Sequence, residues 1–291
     1  MPSATTVSAD DIRDLAHQIR RDVVRSIACA GAGHPGGALG GAEIFAMLYS
    51  GVMNHDPGNP KNPQRDRFVL SNGHICAGFY AALARSGYFP PDELATLRKI
   101  NGHLQGHPAR AHMPDTVETS SGPLGQGLSV CNGLAFAARL DNSPARMYCF
   151  VGDGEMQEGQ LWEALMTAGH HKLTNVTLFI SYNALQIDGE VDKVKKVEPL
   201  ADKLRAFHWN VVDVDGHDVD ALLAAVDTAK QTTDRPTAII ARTVMGKGVP
   251  YMEDKAAWHG GKLSWDQANE ALEALGPARN YTDFAIEGGT K

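Results

Sequence analysis

Cysteine is scarce in this sequence, and where it occurs it is scattered. The 291 residues hold four, Cys29, Cys76, Cys131 and Cys149, far apart and without a C-x-x-C pair. That pattern signals neither a disulfide framework nor a zinc site and fits free thiols in a reducing compartment. Long apolar runs are missing too, since none approaches the roughly 20 residues that span a bilayer. The N-terminus shows no basic-then-apolar leader. Basic residues are in deficit, with 27 Lys plus Arg against 34 Asp plus Glu and a net charge of −7. Nucleic-acid and membrane-surface binders want a basic face, so both classes are disfavoured. The sequence reads as a soluble, cytoplasmic chain in which any anionic ligand is held by local donors rather than by overall charge.

What is present is an ordinary globular composition, 43% apolar and 21% charged, arranged as alternating strand and helix patterns. Short apolar runs at Arg67–Leu70, Met147–Val151, Val176–Ile180, Trp209–Val214 and Thr237–Ala241 suit strands buried on both faces. Helical stripes lie between them, and two begin with a capping box, Ser8 with Asp11 and Ser264 with Gln267. The pattern predicts an α/β fold, a doubly wound and mostly parallel sheet flanked by helices. One domain spans 1–291, with a core over 8–275 and a tail over 276–291 that carries no signal.

The most informative stretch is Val151–Gly189. An apolar strand breaks at Gly152-Asp153-Gly154, a helix follows, and a second strand runs into Ser181-Tyr182-Asn183. In a parallel sheet both loops leave at strand carboxyl ends, where open α/β folds bind ligands. Asp153 and Asn183 then bring two hard oxygens to one crevice, beside glycines that let backbone N–H groups approach an anion. Such a set suits Mg2+, which takes few protein ligands and completes its shell with phosphate and water.

GDGEMQEGQLWEA followed by NALQIDG resembles the thiamine diphosphate signature in its transketolase form. The resemblance implies that Asp153, the Asn183 side chain and the Leu185 carbonyl hold Mg2+, with Ca2+ or Mn2+ as substitutes, and that Gly154 lies against the diphosphate. Further motifs agree in family order. GHPGGALG is similar to the loop whose histidine, here His34, meets substrate. DRFVLSNGH is similar to the segment that brings His74 to the diphosphate. GHP places His107 by substrate hydroxyls, and SGPLGQG sets Gly122, Pro123 and Leu124 against the aminopyrimidine. WHG puts His259 near both diphosphate and substrate. Gly31 to Gly36 also spells G-x-G-x-x-G, but a helix precedes it where a dinucleotide fingerprint needs a strand. Lys247 likewise fails the P-loop pattern.

The resemblance runs from about Leu15 to Leu275 and covers roughly the first half of a transketolase. The pyrimidine-binding and C-terminal domains have no room here, and with them the glutamate that activates the cofactor. Glu155, Glu158 and Glu163 cannot take that role, and Glu158 matches a family glutamate near the dimer contact. The resemblance therefore implies one subunit of a split transketolase, joined by a C-terminal partner in an α2β2 assembly. Its reaction would move a two-carbon ketol unit from a ketose phosphate to an aldose, with His34, His107 and His259 catalytic and His74 at the cofactor. Alternatives are the matching subunit of a 2-oxo acid dehydrogenase or deoxyxylulose-phosphate synthase, or a non-catalytic cofactor-binding paralogue. Ser181 stands where many relatives carry Asp.

Overall fold

The computed structural model describes residues 7–286. Five strands form one parallel sheet: β1 (Arg67–Leu70), β2 (Met147–Gly152), β3 (Val176–Tyr182), β4 (Asn210–Asp215) and β5 (Thr237–Arg242). Their spatial order is β1-β2-β3-β5-β4. Each strand lies where an apolar run predicts it, to within a residue or two. The runs are continuous because helices cover both faces of the sheet. Phe68, Tyr148, Phe150 and Phe179 join one core, while Val69, Cys149, Val151, Leu178 and Ile180 alternate into the other. Period-two alternation between two dry faces is what a doubly wound sheet requires.

The first core packs against α1 (Ala9–Ala30), α2 (Cys76–Arg85), α5 (Val219–Gln231) and α6 (Trp265–Leu275). The second packs against α3 (Gly127–Leu140) and α4 (Gly159–His170). Both predicted capping boxes form, and α1 ends at Gly31, whose φ of 76° closes the helix in the left-handed region. Among the described residues no helix is long and apolar enough to cross a membrane.

Register decides where the loops emerge. Leu70 lies opposite Phe150, Gly152 opposite Ser181, and Tyr182 opposite Arg242. The segments after β1, β2, β3 and β5 therefore leave from one edge and can share a crevice.

The stretch from Gly276 departs from the sequence reading. Residues up to Ile286 are packed along α1 rather than trailing as a tail. Asp283 accepts from Arg21 Nε at 2.9 Å and Nη2 at 2.7 Å. The Arg279 and Asn280 N–H groups donate to Asp14 at 2.8 Å each. Phe284 is only 3% exposed and lies under the Arg25 guanidinium, 4.9 Å from its ring centre. An irregular strap has no period to detect, because its contacts are single side chains and backbone groups.

Candidate functional site

Four loops at the carboxyl edge and further segments of chain enclose a cavity of about 380 Å3. The loop after β1 brings Asn72 and His74, that after β2 brings Gly152 to Glu155, and that after β3 brings Asn183 to Ile187. Met245 comes from beyond β5, and His34, His107, Gly122, Leu124 and His259 from elsewhere along the chain. The structure therefore gathers every sequence-predicted site residue except Pro123, which lies outside the lining. Lys247 is also outside it, and His103 instead meets Glu93 at 3.0 Å.

The histidines form a cluster. Ring centres of His34 and His74 are 5.2 Å apart, His74 and His259 5.0 Å, His34 and His259 5.8 Å, and His34 and His107 6.2 Å. Burial, reinforced by the neighbouring imidazoles, lowers His34 to about 4 and His74 to about 3. Burial lowers His107 and His259 as well. All four are neutral near pH 7, so each ring can donate at one nitrogen and accept at the other. His34 Nδ1 and Asn72 Oδ1 are buried without a hydrogen-bond partner among the described residues.

Asp153, in the same lining, is 2% exposed. Its Oδ1 accepts from Gly154 N–H at 2.8 Å and its Oδ2 from Ala184 N–H at 2.5 Å. Burial outweighs these bonds and raises its carboxyl to about 6. Asn183 Oδ1 accepts from Leu185 N–H at 2.9 Å, which turns the chain so that Asp153 and the 183–186 segment face one space. Ser181 and Thr243 share a hydroxyl–hydroxyl hydrogen bond of 2.9 Å.

Sequence reasoning considered Glu155 only as an activating acid and missed its structural place. Its buried carboxylate accepts from the Ser71 hydroxyl, from Gly125 N–H at 2.8 Å and from Gly152 N–H at 3.2 Å. The Ser71 hydroxyl in turn accepts from Gly127 N–H at 3.0 Å. One side chain thereby ties the loops after β1 and β2 to the turn before α3. The only sequence trace of this was an acid directly after the glycine turn. Gly127 has no room for a side chain, since a Cβ would sit 2.4 Å from Ser71 Cβ and 2.8 Å from its Cα. Gly127→Ala is expected to cost about 1–3 kcal/mol by overpacking, measured by urea unfolding.

An open parallel sheet with a crevice at its carboxyl edge is the arrangement in which doubly wound α/β domains bind their ligands. Residues 12–288 match the family model described as transketolase, thiamine diphosphate binding domain. The chain belongs to the transketolase family and represents its thiamine diphosphate-binding part. It is 42% identical over 271 residues to the 6-deoxy-6-sulfo-D-fructose transketolase subunit SqwG of Clostridium sp. (strain MSTE9), covering 91% of this chain and 98% of that one. It is 37% identical over 270 residues to an apulose-4-phosphate transketolase subunit from Actinobacillus succinogenes, covering 92% and 97%. The transketolase structure from Leishmania mexicana superposes with a TM-score of 0.87 at 31% identity, over 97% of this chain and 43% of that one. The chain thus spans less than half of the full-length transketolases it matches and nearly all of the two subunit relatives. The family read from the motifs is borne out.

Proposed function

We propose that this chain is the diphosphate-binding subunit of a split, thiamine diphosphate-dependent transketolase. The observation that carries the reading is the charge of the cavity wall. Asp153, Glu155 and Glu158 line it, no Lys or Arg among the described residues does, and its histidines are neutral. A diphosphate enters such a space only with a cation of its own. Asp153, Asn183 and the Leu185 carbonyl are the oxygen donors for it, a set that suits Mg2+ better than a thiol-binding metal. Among the described residues no cluster of three His, Cys, Asp or Glu offers a rival metal site.

Thiamine diphosphate, when bound, supplies the carbanion chemistry by which a two-carbon ketol unit passes from a ketose to an aldose. The chain's own residues bind, orient and handle protons. Asp153 and Asn183 fix the metal end, and Gly154 leaves the backbone open to the anion. His74 and His259 flank that end. His34 and His107 are placed to give and take protons at sugar hydroxyls, a task for neutral imidazoles that donate and accept. Gly122 and Leu124 form the wall toward the ring of the cofactor.

The rest of the site belongs to a partner carrying the pyrimidine-binding half, in an α2β2 assembly. Support comes from the match to nearly the whole length of the subunit relatives and from Ile187, which lines the cavity yet is 67% exposed. The test is reconstitution with the product of a neighbouring gene that encodes such a half. Ketol transfer from a ketose phosphate should require both chains and a divalent cation.

A further inference from the structure

The hairpin after β3 carries a side chain that neither the motifs nor the metal set uses. Leu185–Gln186 pairs antiparallel with Gly189–Glu190, and Gln186 faces the cavity beside Gly154. A Cβ on Gly154 would lie 3.2 Å from Gln186 Cβ, so the two segments are in close contact where the anion is expected.

The direction of this amide is fixed by a second glutamine, Gln157, which also lines the cavity. Gln157 donates through Nε2 to Gln186 Oε1 at 2.6 Å and to the Lys195 carbonyl at 2.8 Å. A backbone carbonyl only accepts, so the second bond sets which end of the Gln157 amide is NH2. Gln186 must then present its oxygen to Gln157, and its own NH2 is the end left over. That NH2 has no partner among the described residues. A cavity wall without Lys or Arg thus contains a neutral donor already turned by a second glutamine.

We propose that Gln186, oriented by Gln157, donates a hydrogen bond to the diphosphate end of the cofactor. The inference rests on the diphosphate reading of this cavity. Gln157 acts as a positioning residue, because its NH2 is committed to Gln186 and to the Lys195 carbonyl. A neutral amide suits this place, because the metal already balances charge and the donor need only fix orientation.

The test is calorimetric titration of the full chain with inorganic pyrophosphate at saturating Mg2+. Hydrogen bonds to charged groups predict that Gln186→Ala binds about ten-fold or more weakly. Gln186→Glu keeps the size, loses the donor and should bind more weakly still. Gln157→Ala should lose several-fold, and the double alanine variant should bind no more weakly than Gln186→Ala alone. That non-additivity separates orientation from general loosening of the hairpin. Wild-type binding with both Gln186 variants within two-fold of it overturns this inference and leaves the site reading intact. No binding by the folded wild-type chain or by its complex with the partner subunit removes the site reading and this inference with it.

Discussion

Asp153→Asn is expected to weaken Mg2+-dependent binding of thiamine diphosphate by about a hundred-fold or more while leaving the fold in place. Removing one member of a buried charge pair costs about 3–5 kcal/mol, and each 1.4 kcal/mol is ten-fold in affinity. The amide keeps one oxygen acceptor, so it retains one of the two bonds that Asp153 takes through separate oxygens from the Gly154 and Ala184 N–H groups. It also removes a carboxyl that burial already raises to about 6. Wild-type metal affinity should therefore fall as pH drops through that value, because the protonated acid no longer ligates. The variant should show no such step. Equal affinities in variant and wild type at pH 7.5 would exclude Asp153 as a metal ligand.

The second large effect lies far from the site. Asp22 is fully buried on α1, and Arg85 on α2 grips it with Nε at 2.7 Å and Nη2 at 2.8 Å. Gln18 adds a bond at 2.8 Å, yet burial still raises the Asp22 carboxyl. Arg85→Ala leaves that acid with one amide donor and should cost about 3–5 kcal/mol. Arg85 also donates to the Thr282 carbonyl, so the variant loosens the strap along α1 as well. The sign with pH follows from a folded-state pKa raised above an unfolded carboxylate near 3.9. The folded variant then binds the extra proton, so its deficit grows as pH rises and narrows toward pH 4. Urea unfolding across that range reads both. A pH-independent deficit below about 1 kcal/mol would show that the pair contributes little.

Much of the fold was legible because its strands are apolar on both faces and its helices carry clean stripes. Periodicity reports burial, and burial here follows a regular two-sided sheet. It does not report order, so nothing local shows that Thr237–Arg242 inserts between its predecessor and Val176–Tyr182. The strap from Gly276 was illegible for a related reason. Its anchors, Asp283 and Phe284, are isolated residues whose partners lie far away in sequence. At the site, the breaks after two apolar runs, a glycine turn at Asp153 and a polar loop at Asn183, exposed both residues directly. The four histidines came only through family motifs, since a loop histidine carries no mark of the cavity it faces. Glu155 and Gln186 escaped both routes. Their roles depend on Ser71, Gly125 and Gln157 meeting them in space, which one sequence does not display.

The central claim is that this chain holds the metal and diphosphate end of a site completed by a second subunit. Calorimetric titration of thiamine diphosphate with Mg2+, on this chain alone and on its co-purified complex with the neighbouring-gene product, tests it most directly. The account predicts weak binding by the chain, binding at least ten-fold tighter by the complex, and loss of both in Asp153→Asn. A complex that assembles yet binds no better than the chain, or a variant that binds as well as the wild type, would contradict it.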